Sequence, residues 1–173
     1  MLQNTVWTIS QPQVRGRQVG GNDALCRIAA ARFHQAQFRA QVARLGALLL
    51  GRANRLLHLG SVETSGGRYA GVRSVAIDQI RGSEGRCDDF DADFRPLKTH
   101  NKSRWVGLAA AWQRGVVMPP VELIQVGDVY FVRDGHHRIS VARAFGQEQI
   151  DAEVTVWDVA GRLPAEQMVY QPA

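Results

Sequence analysis

Val129–Gly146 reads VYFVRDGHHRISVARAFG, a strand, a glycine turn and a helix in immediate succession. Val129, Tyr130, Phe131 and Val132 are the β-branched and aromatic residues that fill a half-buried strand. Ile139, Val141, Ala142, Ala144 and Phe145 give a helical apolar face that stops at Gly146. Asp134-Gly135-His136-His137-Arg138 lies between them. A glycine there admits a backbone conformation closed to other residues and sets the first unpaired amides of the helix at the mouth of the turn. Such a mouth attracts anions. The amides and the helix dipole favour a phosphate, and Arg138 with His136 or His137 adds charge-assisted donors. The alternative is a helix capped by Asp134 with two ordinary histidines, and spacing alone leaves both readings open. Adjacent histidines point to different sides of a helix, so a shared metal ion is the weaker idea.

Outward from this stretch, Met118-Pro119-Pro120 forces an extended approach to a strand at Val121–Val126, because proline fixes its own φ and restricts its predecessor. Gly127-Asp128 fits a two-residue hairpin turn with glycine first. After the helix, Asp151–Trp157 can return to the sheet as a strand. This order of residues resembles the core of the ParB/sulfiredoxin superfamily. In that family a Pro-Pro strand entry and a hairpin lead to a glycine-containing motif that ends in arginine at a helix start and binds nucleotide phosphates. The motif reads like G-E-R-R in partition proteins, G-C-H-R in sulfiredoxins and D-G-H-x-R in the ParB-like free-serine kinases. The chain matches the last form at Asp134, Gly135, His136 and Arg138.

The resemblance extends upstream to Val72, so it spans about half of the chain. Val75–Ile80 is similar to the family's first strand and the turn after it, and Glu84, Arg86, Phe90 and Phe94 fall where relatives carry pocket residues and a Phe-Asp run. It implies an α+β core, a small mixed sheet with packed helices. It also implies a phosphate site made of Asp134, Gly135, His136, His137 and Arg138, with Arg86 closing from the facing loop. The expected ligand is a nucleotide, with ATP, ADP and CTP not distinguished, or another phosphorylated molecule, with Mg²⁺ as its companion. Glu84, between two glycines, is the candidate base toward a hydroxyl in a phosphotransferase reaction; on its residues alone the same loop reads as a solvated segment.

Two departures from the family narrow the function. The 16 residues after Trp157 are too few for a helix-turn-helix, so sequence-specific DNA reading by that route is not expected. His136 stands where sulfiredoxins place their cysteine, which sets aside cysteine-repair chemistry. Nuclease activity has no definite metal cluster to support it. Asp88, Asp89, Asp91 and Asp93 lack calcium-loop spacing, and the expectation is that Phe90 and Phe94 anchor the segment while the aspartates face water or pair with arginines.

With 173 residues and 45% hydrophobic content, one globular domain with an appended segment is expected. The division read from the sequence is a flexible arm over 1–22, a basic helical segment over 23–60 capped by Asp23, a linker over Ser61–Gly71, the core over 72–158 and a tail over 159–173. The basic segment carries Arg27, Arg32, Arg39, Arg44, Arg52 and Arg55 with no acidic residue after Asp23. Leu25, Ile28, Phe33, Ala36, Phe38, Val42 and Leu45 give it apolar surface, and Gly46 and Gly51 leave a helical hairpin open. The more ordinary reading packs part of this surface on its own domain or on a second subunit and leaves the arginines in water; the alternative function is a non-enzymatic module that binds nucleic acid or protein through residues 24–57. A net charge of +5 allows a polyanionic partner without proving one. Ser103 is read as the cap of a helix over Arg104–Arg114, with Trp105, Leu108, Ala109 and Trp112 as its core face. Cys26 and Cys87, without CxxC spacing, read as reduced thiols. No apolar run reaches the roughly 18 residues of a membrane span and no secretory signal order is present, so the expected location is the cytoplasm.

Overall fold

A computed structural model describes residues 19–59 and 64–159. Helix α1 (Val19–Leu49) is one continuous rod of 31 residues, so it neither breaks at Gly46 nor takes Asp23 as its cap; Asp23 sits inside the helix. The helical segment expected to reach residue 60 ends much earlier. After Gly51 the chain leaves the helix and forms a two-residue strand, β1 (Leu57–His58). Of the expected flexible arm, residues 19–22 are helical. The remainder of the arm, and the tail from 160, lie outside the described residues.

The expected linker is largely strand. β2 (Thr64–Ala76) pairs antiparallel with β6 (Gln149–Val159), from Thr64 opposite Val159 to Ala76 opposite Gln149. The glycines that read as linker fall at its two register shifts, between Thr64 and Gly66 and between Tyr69 and Val72, where an extra residue is absorbed as a bulge. A 3₁₀ turn at Ile77–Gln79 leads into β3 (Ile80–Ser83), and a second at Thr99–Asn101 leads into α2 (Lys102–Gln113). Ser103 thus lies within the first turn of α2, and Asn101 precedes it without a side-chain capping bond. β4 (Val121–Val126) and β5 (Val129–Asp134) form the expected hairpin, with Gly127 at φ 59°, and α3 (His136–Ala144) follows.

The six strands form one mixed sheet in the order β1-β3-β5-β4-β6-β2. Side-chain alternation divides its core between two faces. Val121, Leu123, Tyr130, Val132 and Val154 point toward α3, where they meet Ile139, Ala142, Phe90 and Phe94. Ile124, Val126 and Phe131 point the other way and are covered by Leu57, Leu59 and Trp157. Gly82 makes that second face possible, because a side chain there would run into the Phe131 ring and come within 2.9 Å of the Leu57 carbonyl. A third cluster joins the helices: Ala29 and Phe33 of α1 meet Trp105 and Ala109 of α2 and Val141 of α3. The Trp105 indole donates to Ser140 Oγ at 2.9 Å, which confirms that tryptophan as core.

All three helices end in the same way. The amides of Arg52, Val116 and Gln147 reach back to the carbonyls of Ala47, Ala111 and Ala142, around glycines 51, 115 and 146 with φ of 60–76°. This is the Schellman closure, in which a left-handed glycine lets two terminal carbonyls find donors.

Candidate functional site

α3 starts where β5 ends, and Gly135 makes the junction. Its φ of 99° is left-handed, and an added side chain would collide with Val121, whose Cβ lies 2.8 Å from the position it would take. Both constraints select glycine. No side chain caps the helix; Asp134 instead pairs with Arg138 at 2.6 Å, one helical turn on. The alternative in which Asp134 caps α3 is thereby removed.

Both terminal nitrogens of Arg138 are engaged. One donates to the carbonyls of Pro119 and Pro120 at 2.7 and 2.6 Å, and the other donates to Asp134. The arginine pins the Pro-Pro entry of β4 to the turn. These three bonds leave the Nε donor and one Nη2 donor of the five without a hydrogen bond among those named.

His136 and His137 are both buried, at 4% exposure each. His136 Nε2 lies 2.7 Å from Ser83 Oγ. That hydroxyl already accepts the amides of Arg86 at 2.9 Å and Gly85 at 3.2 Å, so its own proton goes to Nε2 and the neutral ring keeps its proton on Nδ1. Burial, and then the charge of Arg86, lowers the pKa of His136 to about 4. Ser83 thereby ties the Glu84–Arg86 loop to the start of α3, a link that the sequence reading missed. A serine at the end of a strand next to a glycine loop is too common a pattern to single out.

His137 is different. Neither of its ring nitrogens has a hydrogen-bond partner among the described residues, although the ring is enclosed. Phe90 packs edge-on against it at 5.3 Å and stacks on His136 at 5.9 Å. Burial lowers its pKa to about 4, with further depression by Arg104, Arg86 and His100 and an opposing effect from Asp89. Arg104 and His100 are exposed residues at the beginning of α2, which the sequence reading did not assign to any site. The charges of Arg104, at the start of α2, and of Arg86, in the loop after β3, thus both bear on this imidazole.

The remaining expected site residues separate. Arg86 pairs with Asp89 at 3.3 Å, and Asp89 is also held by Lys98 at 2.8 Å. Glu84 pairs with Arg133 at 3.1 Å, and Arg133 lies over the Trp157 ring. Trp157 belongs to the sheet face opposite α3, so the Glu84 carboxylate is directed away from the histidines. The acidic run takes the ordinary role. Asp91 is buried and accepts the amides of Asp93 and Arg95, while Arg95 pairs with both Asp91 and Asp93. This holds Phe94, the one non-glycine residue with positive φ (57°) among the described residues, under the Arg143 guanidinium. Among the described residues no group of three His, Cys, Asp or Glu side chains is arranged to hold a metal ion. The Cys87 thiol is pushed up in pKa by burial and by Asp88, which keeps it protonated.

Two clefts open nearby without reaching the histidine rings. The larger, about 630 Å³, lies between α1 and α3 and is lined by Arg32, Arg39, Asp93, Phe94 and Arg143 among others. The smaller, about 340 Å³, runs past Pro119 and the other flank of Arg138.

No family model and no curated protein sequence matches the chain. Among solved structures it is similar to sulfiredoxin from Arabidopsis thaliana, at 17% identity over 48% of this chain and 82% of that one, with a TM-score of 0.37. No helix among the described residues is long and apolar enough to cross a membrane.

Proposed function

We propose that the chain binds the phosphate of a nucleotide or another phosphorylated ligand at the start of α3. The observation that carries this reading is the His137 ring, enclosed and without a partner on either nitrogen. A buried polar group left unpaired costs on the order of 1–3 kcal/mol, and a group retained at that cost needs an explanation. An anion at the α3 amides supplies one. Once the Arg86 loop moves aside and uncovers the ring, the anion accepts from the helix start and from His137 and offsets the mutual repulsion of Arg86 and Arg104. Gly135 and the Asp134–Arg138 pair shape the turn, and the Ser83–His136 bond holds the Arg86 loop against it. Mg²⁺ enters with the nucleotide in this scheme, since the chain offers it no cluster of its own among the described residues. Glu84 remains the candidate base for phosphoryl transfer only if its pair with Arg133 opens and the carboxylate swings back from the opposite face of the sheet to the turn.

The test is His137→Phe, measured by thermal shift and calorimetry with ATP, ADP, CTP and pyrophosphate, with and without Mg²⁺. The wild type is expected to gain stability with at least one of them, by about 2.7 kcal/mol at a hundredfold excess over Kd. The variant is expected to keep or raise its unliganded melting temperature, because an apolar ring leaves nothing unsatisfied, and to lose the ligand response. No response of the wild type to any of the four rejects the proposal. Glu84→Gln then separates binding from turnover: it is expected to bind as before and to abolish transfer.

A further inference from the structure

The buried residues of α1, Ala29, Phe33 and Ala40, lie on one side of the helix, facing α2 and α3. A second stripe runs along the opposite side. Ile28, Ala31, Gln35, Phe38, Val42, Leu45 and Leu49 follow one another at intervals of three and four residues, and every one of them is exposed. Phe38 is 66% exposed, Leu45 62% and Leu49 86%. Alternating steps of three and four over three heptads make the seam of a coiled coil, a period that a second helix requires and that a lipid surface does not impose. Gln35 falls at a core position of that seam, where one polar residue fixes register and partner at some cost in stability.

The flanks of the seam identify the kind of helix that fits it. Arg27 and His34 border it on one side and Arg32 and Arg39 on the other, with no acidic residue on α1 after Asp23. A second copy of α1 in parallel register would set Arg27 against Arg32 and His34 against Arg39; an antiparallel one would set Arg32 and Arg39 against each other. The arginine–arginine juxtapositions in both arrangements are like-charge contacts. We infer that α1 docks an amphipathic helix of another protein whose apolar seam is flanked by Asp and Glu. Arg27 and Arg39 form no ion pair among the described residues, so they are free to meet those carboxylates.

The experiment uses the full chain and a synthetic four-heptad peptide of about 28 residues, with Ile and Leu at the seam positions and Glu on both flanks, beside the same peptide with Lys on both flanks. Calorimetry is expected to show binding of the Glu peptide at least about tenfold tighter than the Lys peptide, weakening as salt is raised. Phe38→Glu with Leu45→Glu is expected to abolish it with an unchanged melting temperature, since both side chains are already in water. Equal binding of the two peptides, or none, overturns the inference. So does a dimer in sedimentation equilibrium that the same double variant dissociates, which assigns the seam to a second copy. Seam-dependent pelleting with phosphatidylglycerol vesicles, without peptide binding, overturns it in favour of a membrane surface.

Discussion

His136 and His137 make the native state sensitive to acid. Each has its pKa lowered from 6.5 to about 4, so the unfolded chain takes up protons as pH falls through 6.5 while the native chain does not until about 4. Their contribution is complete above pH 6.5 and is lost progressively between pH 6.5 and 4. The size is on the order of 3 kcal/mol for each histidine. Urea titrations at pH 7 and pH 4.5 are expected to show a markedly lower midpoint at the acid pH, and His137→Phe is expected to remove about half of the difference. Two further substitutions act on the same turn. Ser83→Ala leaves His136 Nε2 and the Arg86 amide without their partner, and is expected to cost about 1–3 kcal/mol. Gly135→Ala forces a left-handed residue into contact with Val121, and a loss of about 2–4 kcal/mol in chemical denaturation is expected.

At the level of elements, what the sequence made legible followed pattern and punctuation. The hairpin with glycine first, the helix that stops at Gly146 and the core face of Trp105 and Ala109 were all readable, because each is a local signal satisfied locally. β2 was not readable, since Gly66 and Gly71 look like linker until the partner strand shows that they sit in bulges. α1 was legible as a helix that packs part of its apolar surface on its own domain and leaves its arginines in water, but not in its bounds: it begins before Asp23 and runs through Gly46, because apolar residues lie nearly all round it and give no clear edge. Residues of the candidate site divided likewise. Gly135, His136, His137 and Arg86 were legible from the motif and the loop. Ser83, Arg104 and His100 join them only through the tertiary fold, and Glu84 leaves them because Arg133 draws it to the other face. A glycine at each helix end carries its own prediction: Gly115→Ala, left-handed but open to solvent, is expected to cost roughly 1 kcal/mol in a thermal melt, less than Gly135→Ala because nothing lies within 4 Å of the added carbon.

On the scale of the whole molecule, the sheet is knitted from distant parts of the chain. β6 lies between β4 and β2, and among the described residues β2 has no other neighbour in the sheet. Ala76 pairs with Gln149, so about 70 further residues must leave the ribosome before β2 meets its partner, several seconds at typical elongation rates. Through that interval a thirteen-residue strand is exposed in the nascent chain with both edges open. Gly66, Gly67 and Gly71 and the charges of Arg68 and Arg73 then act as protection during synthesis, when a flat apolar strand of that length would recruit its neighbours on the same polysome.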